Sequence, residues 1–304
     1  MQPELALRPV RAAHIHPQPN LARVSPVLRA HYAPASDGAD CNLVILLHGL
    51  GDTAAPFFAL GKSLNLPQTA VLSLQAPDRV PLLEEEAWQW WDSFDSLGEL
   101  IPNPNPAATL HLLDALLTHL TSPVAASDSA SAASSAASKP PTAGGCGWHP
   151  SQIHLFGYAQ GGTCAGELAL AWARAHPVPP VAPSSASLPS RTPASPLPAP
   201  SNPATEHLAS VVAVSAPLLS HPTPSAATKA RTKALLAFRQ GEERAVGAAS
   251  WRRGFEGVEE ARLARGDGML RGMDEWRTVM RFWSTVLVRK SQLELSGEVY
   301  ELAQ

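Results

Sequence analysis

Short apolar runs alternate along this chain with stretches of helical periodicity. NLVILL, beginning at Asn42, is apolar almost without interruption and runs into His48-Gly49-Leu50-Gly51-Asp52-Thr53. That predicts a buried strand entering a glycine-rich turn. Thr69 to Leu74 predicts a second strand, stopped by Ala76-Pro77, since proline cannot donate to a ladder. Gln152 to Phe156, Leu208 to Ser215 and Ala234 to Phe238 predict three more. Between them, Ala107 to Thr121 sets Leu110, Leu113, Leu117 and Leu120 on one helical face. Gly161 to Ala175 carries Ala and Leu at the same spacing, and Asp274 to Val288 does so with Trp276, Val279, Met280 and Trp283. Strands alternating with helices imply an α/β fold, a mostly parallel sheet with helices on both faces. One domain over residues 21–290 accounts for all of them, with 1–20 and 291–304 as terminal extensions.

Two stretches break the pattern. Ser122 to Gly147, with SDSASAASSAASKPP, and Val178 to Thr205, with SSASLPSRTPASPLPAPS, lack large apolar residues. They cannot bury enough surface to offset the entropy of ordering, so both are predicted to be disordered insertions. They absorb much of the chain's 30 prolines.

Composition then narrows the function. At 304 residues and 45% hydrophobic content the chain can build a sizeable core. A formal charge of −3 and scattered Lys and Arg exclude a nucleic-acid partner, which would need a concentrated basic patch. Three cysteines, Cys41, Cys146 and Cys164, have neither disulfide-framework nor zinc spacing, so no metal or cofactor is expected and a reducing compartment fits. Prolines and charges interrupt the first twenty residues where a signal peptide needs an apolar core, and no stretch is long enough to span a membrane. The expected location is cytoplasmic.

The candidate chemistry lies in IHLFGYAQGGTCAGELALAWA, where a predicted strand meets Gly157-Tyr158-Ala159-Gln160-Gly161 and a helix follows. A nucleophile elbow, G-x-S-x-G, has this strand–turn–helix context because the nucleophile is held in a strained turn between small residues. Here the central position is Ala159. Without further context the glycines could also serve an ordinary strand-to-helix turn, the less favoured reading.

LLHGLGDT after the first strand, QAPDRVP after the second, WQWWDSFD, and FGYAQGG before an Ala-rich helix occur in this order. From about Asn42 to Val288 the chain resembles the phospholipase/carboxylesterase family of α/β-hydrolases, which includes acyl-protein thioesterases. The resemblance implies an α/β-hydrolase fold and carboxylic-ester or acyl-thioester chemistry. It also implies an oxyanion hole built from the main-chain N–H groups of Leu50 and Gln160, which survive any change of side chain. The family's acid falls in a turn matching Phe238 to Val246, with Arg244 at the aspartate position and Glu242 and Glu243 close by. Its base falls in a Gly-x-x-His turn matching Gly268-Met269-Leu270-Arg271, which puts Arg271 at the histidine position. Arginine does not deprotonate at a useful pH and cannot be a general base. No histidine follows His221.

The expectation is therefore a family member whose nucleophile, acid and base positions read Ala159, Arg244 and Arg271. Such a chain has lost catalysis and keeps a cleft for an acyl or ester-like ligand or a protein partner. The alternative is an unconventional ester or thioester hydrolase using the oxyanion hole and a water activated by Glu242 or Glu243. An engineered serine-to-alanine change would also give GYAQG but would leave acid and base in place. Cys164 and Thr163 lie along the helix beyond the turn and are poor substitute nucleophiles, and His48 and His154 are expected to be structural. Trp88, Trp90 and Trp91 either line the cleft or pack as an aromatic cluster beneath a loop.

Overall fold

The computed structural model describes residues 7–9, 15–81, 83, 85–124, 144–177, 207–222, 229–296 and 300–302. Seven strands form the main sheet: β1 (Arg29–Ala33), β2 (Asn42–Leu47), β3 (Thr69–Gln75), β4 (Ile153–Tyr158), β5 (Ser210–Val214), β6 (Lys233–Arg239) and β7 (Val258–Leu263). Their order across the sheet is β7-β6-β5-β4-β2-β3-β1. Every pairing is parallel except that of β1 with β3. The principal helices are α1 (Ala54–Ser63), α2 (Ala107–Thr121), α3 (Gln160–Ala175), α4 (Ala248–Gly254) and α5 (Gly272–Val286).

Strand geometry explains the two cores. Side chains alternate across a pleated strand, so Leu43, Ile45 and Leu47 of β2 join one buried cluster with Leu113, Leu117, Ala165 and Leu168 from α2 and α3. Val44 and Leu46 join the other, with Phe57 from α1 and Val279, Phe282 and Trp283 from α5. A strand buried on both faces must be largely apolar, and all six residues of β2 are buried, Asn42 being the one polar side chain among them. The prediction of a mostly parallel sheet with helices on both faces holds.

Four elements were invisible to periodicity, the short helix α4 among them. The edge strands β1, RAHYA, and β7, VEEARL, are half exposed and carry the polar residues an edge tolerates. Helix α1 contains Pro56 and Gly61, yet proline in the first turn loses no helical bond. A Cβ on Gly61 would come within 2.5 Å of Leu46 and 2.7 Å of Val71, so this glycine lets the helix lie close on the sheet.

The stretch from 122 to 147 differs from its prediction at both ends. The Gly147 N–H donates to Ser122 and the Trp148 N–H to Leu120, and Cys146 and Trp148 are buried. These pairings close a stem because Trp148 supplies the apolar surface its flanks lack. Residues 125–143 between them, and the whole predicted insertion 178–205, lie outside the described residues. The end of the N-terminal extension also packs: His16 is buried, its N–H donates to Asp40, and its ring stacks 3.7 Å from Trp148.

Candidate active site

Strand β4 ends and helix α3 begins within one residue, and Ala159 makes that junction. Its backbone sits at φ 47° and ψ −116°, a conformation that costs an L-residue about 1–3 kcal/mol. Its N–H donates to Val214 of β5 at 2.8 Å, and its carbonyl accepts from the Thr163 N–H at 3.0 Å. The surrounding glycines are required by contact. A Cβ on Gly157 would fall 2.3 Å from the Gly161 carbonyl oxygen, and one on Gly161 would fall 2.3 Å from that of Leu47. A Cβ on Gly162 would meet Ala216 at 2.7 Å. Three backbones thus converge more closely than any side chain permits, which an ordinary strand-to-helix connection does not demand.

The turn after β2 lies against this junction, since Gly161 also approaches the His48 carbonyl. Gly51 donates to the Trp88 carbonyl and Asp52 to that of Gly49, while the Leu50 N–H enters no backbone bond among the described residues. Gln160 opens α3, so its N–H has no intrahelical acceptor. The Gln160 side chain is tied down separately: its Oε1 accepts from the Trp90 N–H at 2.9 Å and its Nε2 donates to Ser93 Oγ at 2.6 Å. The two main-chain groups that the resemblance assigned to an oxyanion hole therefore belong to adjoining, braced turns.

His48 does the bracing on the other side. It is fully buried, its Nδ1 bonds the Gly49 carbonyl at 2.7 Å, and its Nε2 accepts from the Ala76 N–H at 3.0 Å. Burial pushes its pKa below the ordinary 6.5, so the ring is neutral with both nitrogens occupied. It cannot take a proton from a group at Ala159. His154 is likewise buried in β4, with Ser210 Oγ at 2.8 Å and Asn42 Oδ1 at 3.3 Å.

Arg244 is exposed in the short helical turn Glu243–Val246 that follows β6. Glu242 is half-buried, and one oxygen accepts from Ser215 Oγ at 2.8 Å and from the Arg239 N–H at 3.0 Å. Ser215 sits at φ 49° at the end of β5, next to the strand that carries Ala159. Glu243 is exposed and accepts from the Gly241 N–H at 2.9 Å. Arg271 caps α5: its N–H donates to Glu275 at 2.6 Å, and its guanidinium donates to the Asp267 carbonyl at 2.5 Å. A Cβ on Gly268 would lie 3.7 Å from the Arg271 guanidinium and 3.9 Å from the Tyr158 hydroxyl. The turn carrying Arg271 is thus beside the residue preceding Ala159.

That turn is held by a residue the sequence did not single out. Arg239, at the end of β6, is 2% exposed and donates to the carbonyls of Ala264, Gly268 and Met269 and to both oxygens of Glu275. A charged residue closing the apolar run Ala234 to Phe238 was the available signal.

Cys164 is wholly buried, and burial raises its thiol pKa well above normal. Thr163 Oγ1 donates to the Pro217 carbonyl at 2.7 Å. Of the tryptophans, Trp90 is completely buried with its indole N–H on the His48 carbonyl, Trp91 is buried, and Trp88 is half-buried beside Gly51. Among the described residues no cluster of His, Cys, Asp and Glu could hold a metal, and no helix is long and apolar enough to cross a membrane.

Comparison with known proteins places this geometry. The model of the phospholipase/carboxylesterase family matches residues 34–194. An uncharacterised hydrolase of Mycosarcoma maydis is 34% identical over 277 residues, covering 88% of this chain and 85% of the relative. Among solved structures, esterase PE8 superposes with a TM-score of 0.56 at 20% identity, over 86% of this chain and 99% of that one. The acyl-protein thioesterase 2 of Zea mays does so at 0.50 and 17%, over 86% and 99%. These two likenesses are of fold.

Proposed function

The chain belongs to the phospholipase/carboxylesterase family of α/β-hydrolases, and from that premise we propose that it has lost ester and thioester hydrolysis and binds an acyl or ester-like ligand at the old catalytic elbow. One observation carries this: a methyl group, on Ala159, occupies the strained junction at φ 47° where the family's nucleophile belongs. A methyl has no lone pair to attack a carbonyl carbon. Arg271 at the base position is a permanent cation and caps a helix. The main-chain N–H groups of Leu50 and Gln160 remain, and they suit a carbonyl or carboxylate oxygen whether or not a bond is broken.

The unconventional hydrolase has less support. Glu242 is positioned by Ser215 and the Arg239 N–H, which makes it a brace between strand ends, and Glu243 faces solvent.

The test is hydrolysis of short- and medium-chain nitrophenyl esters and of an acyl thioester by the purified chain and by Ala159→Ser. Both are expected to be inert. Without nucleophile and base, an enzyme of this type runs about 10⁶-fold below its intact form. Thermal shift with fatty acids and acyl esters is expected to raise the wild-type melting temperature. Turnover by the wild type that disappears in Glu242→Gln would overturn the proposal, as would robust hydrolysis by Ala159→Ser, which requires a working base.

A further inference from the structure

The segment from Asp78 to Glu99 concentrates charge that the rest of the molecule does not share. It contains Asp78, Glu84, Glu85, Glu86, Asp92, Asp95 and Glu99 against Arg79 alone, a net −6, whereas the whole chain carries −3. None of the ion pairs among the described residues involves one of these carboxylates. Asp78 registers the crowding, since burial and the neighbouring Asp92 both raise its pKa.

The same segment holds apolar side chains out into solvent. Leu83 is 52% exposed, Leu97 82% and Leu100 72%. Isolated exposed leucines are ordinary, but these stand on braced loops. Asp78–Arg79 pairs antiparallel with Trp88–Gln89, and the Val80 N–H closes the first hairpin on Ala87. In the second, Asp95 Oδ1 accepts from the N–H groups of Leu97 and Glu99, Phe94 bridges Leu100, and the Ile101 N–H returns to Ser93. Both hairpins spring from the strip that Gln160 fastens to the elbow through Trp90 and Ser93. Leu97 and Leu100, held on this braced hairpin, lose little entropy when covered, and that is the property of a docking surface.

We propose that the two hairpins over residues 78–101 form a docking surface for a basic amphipathic segment of another protein, its apolar face covering Leu83, Leu97 and Leu100 and its Lys or Arg side chains meeting the carboxylates of the same hairpins. Charge complementarity selects this occupant. An anionic lipid surface would be repelled by a net −6 patch, while a cationic segment gains in both affinity and association rate. The surface is independent of whether the elbow holds a ligand.

The experiment is fluorescence anisotropy with a labelled peptide of leucine and lysine at helical spacing, read against the full chain at low and at physiological salt. Binding is expected and should weaken with salt, as exposed charges are screened beyond about 8 Å at physiological ionic strength. Leu97→Ser/Leu100→Ser should lower affinity by about tenfold or more, and Glu85→Gln/Glu86→Gln/Glu99→Gln should abolish most of the salt dependence. All five positions are exposed, and circular dichroism would verify folding. Met273→Ser, at a methionine 83% exposed on α5, should bind as wild type. Equal affinity in the leucine variant would overturn the proposal. So would concentration-dependent self-association abolished by that variant, which would make the occupant a second copy. Equal uptake onto phosphatidylcholine vesicles with no peptide competition would overturn it in favour of a lipid surface.

Discussion

Arg239 and Glu275 form a two-pronged ion pair, at 2.8 and 3.2 Å, beneath the turn that carries Arg271. The hydrogen bond from Arg239 holds the Glu275 carboxyl below its ordinary range, and Glu275 in turn raises Arg239. Glu275 also accepts from the Arg271 N–H, and Arg239 binds three carbonyls of the turn. One pair therefore determines where the turn carrying Arg271 sits.

Removing one partner should cost more than an exposed pair would. Arg239 is 2% exposed and Glu275 17%, so Arg239→Met would take the guanidinium away from three carbonyls and leave the Glu275 carboxylate with the Arg271 N–H but no paired charge. The expected loss is about 2–4 kcal/mol, measured by urea unfolding. Arg239→Met/Glu275→Leu should recover part of it, because burying neither charge avoids desolvating both.

The elbow can be relaxed. If the strain at Ala159 serves no bond-making, Ala159→Gly should stabilise the protein. Glycine populates φ 47° freely, and the gain, less its higher unfolded entropy, is about 1 kcal/mol. For a chain of this size that is an increase of about 2–3 °C in Tm by calorimetry. The opposite change nearby, Gly161→Ala, puts a methyl 2.3 Å from the Leu47 oxygen and 2.4 Å from the His48 oxygen. It should give no folded protein at 25 °C.

The sequence disclosed the parts of this fold whose pattern is simple and concealed those whose role is relational. Strands buried on both faces, such as β2, announce themselves by unbroken apolar runs. The edges β1 and β7 do not, because water satisfies their polar side chains. The junction at Ala159 was legible because its flanking glycines mark a tight strand-to-helix turn. Arg239, Ser215 and Tyr158 were not, since their meaning comes from partners 36, 27 and 110 positions away in sequence: Glu275, Glu242 and Gly268. Trp90 shows the same limit, for WQWW gives no hint that this indole is sealed against the His48 carbonyl.

Acid should destabilise the protein through its histidines. Burial pushes His154 down to about 3 from 6.5 and lowers His48, so both stay neutral in the folded chain. The unfolded chain binds those protons near pH 6.5 and the folded chain does not. The contribution of His154 is therefore fully present above that pH and is lost as pH falls from about 6.5 toward 3, and that of His48 falls in the same direction. His154 costs about 1.4 kcal/mol per pH unit in this window. Unfolding free energies from pH 7 to 4.5 should show that slope, and His154→Gln should flatten it by one proton whatever it does to stability at pH 7.

A side-chain clamp at the opposite end of the sheet should anchor the segment after α5. Asn42 exchanges two bonds with Val288, Nδ2 to the carbonyl and N–H to Oδ1, each at 2.9 Å. Gln68 does the same with Lys290 at 2.8 Å. Two amides thus imitate a neighbouring strand for residues two apart, where main-chain pairing is absent. Asn42 is fully buried and also faces His154, so Asn42→Ala should cost about 2–3 kcal/mol through the groups it leaves unpaired. Gln68 is itself less deeply buried, 8% exposed against 0% for Asn42, and Gln68→Ala should cost about 1 kcal/mol. The distinguishing readout is hydrogen exchange: protection at the Val288 amide should vanish in Asn42→Ala and persist in Gln68→Ala, with the reverse at Lys290. Loss of both amides in either variant would mean the segment docks as a unit and that the two clamps are not separable.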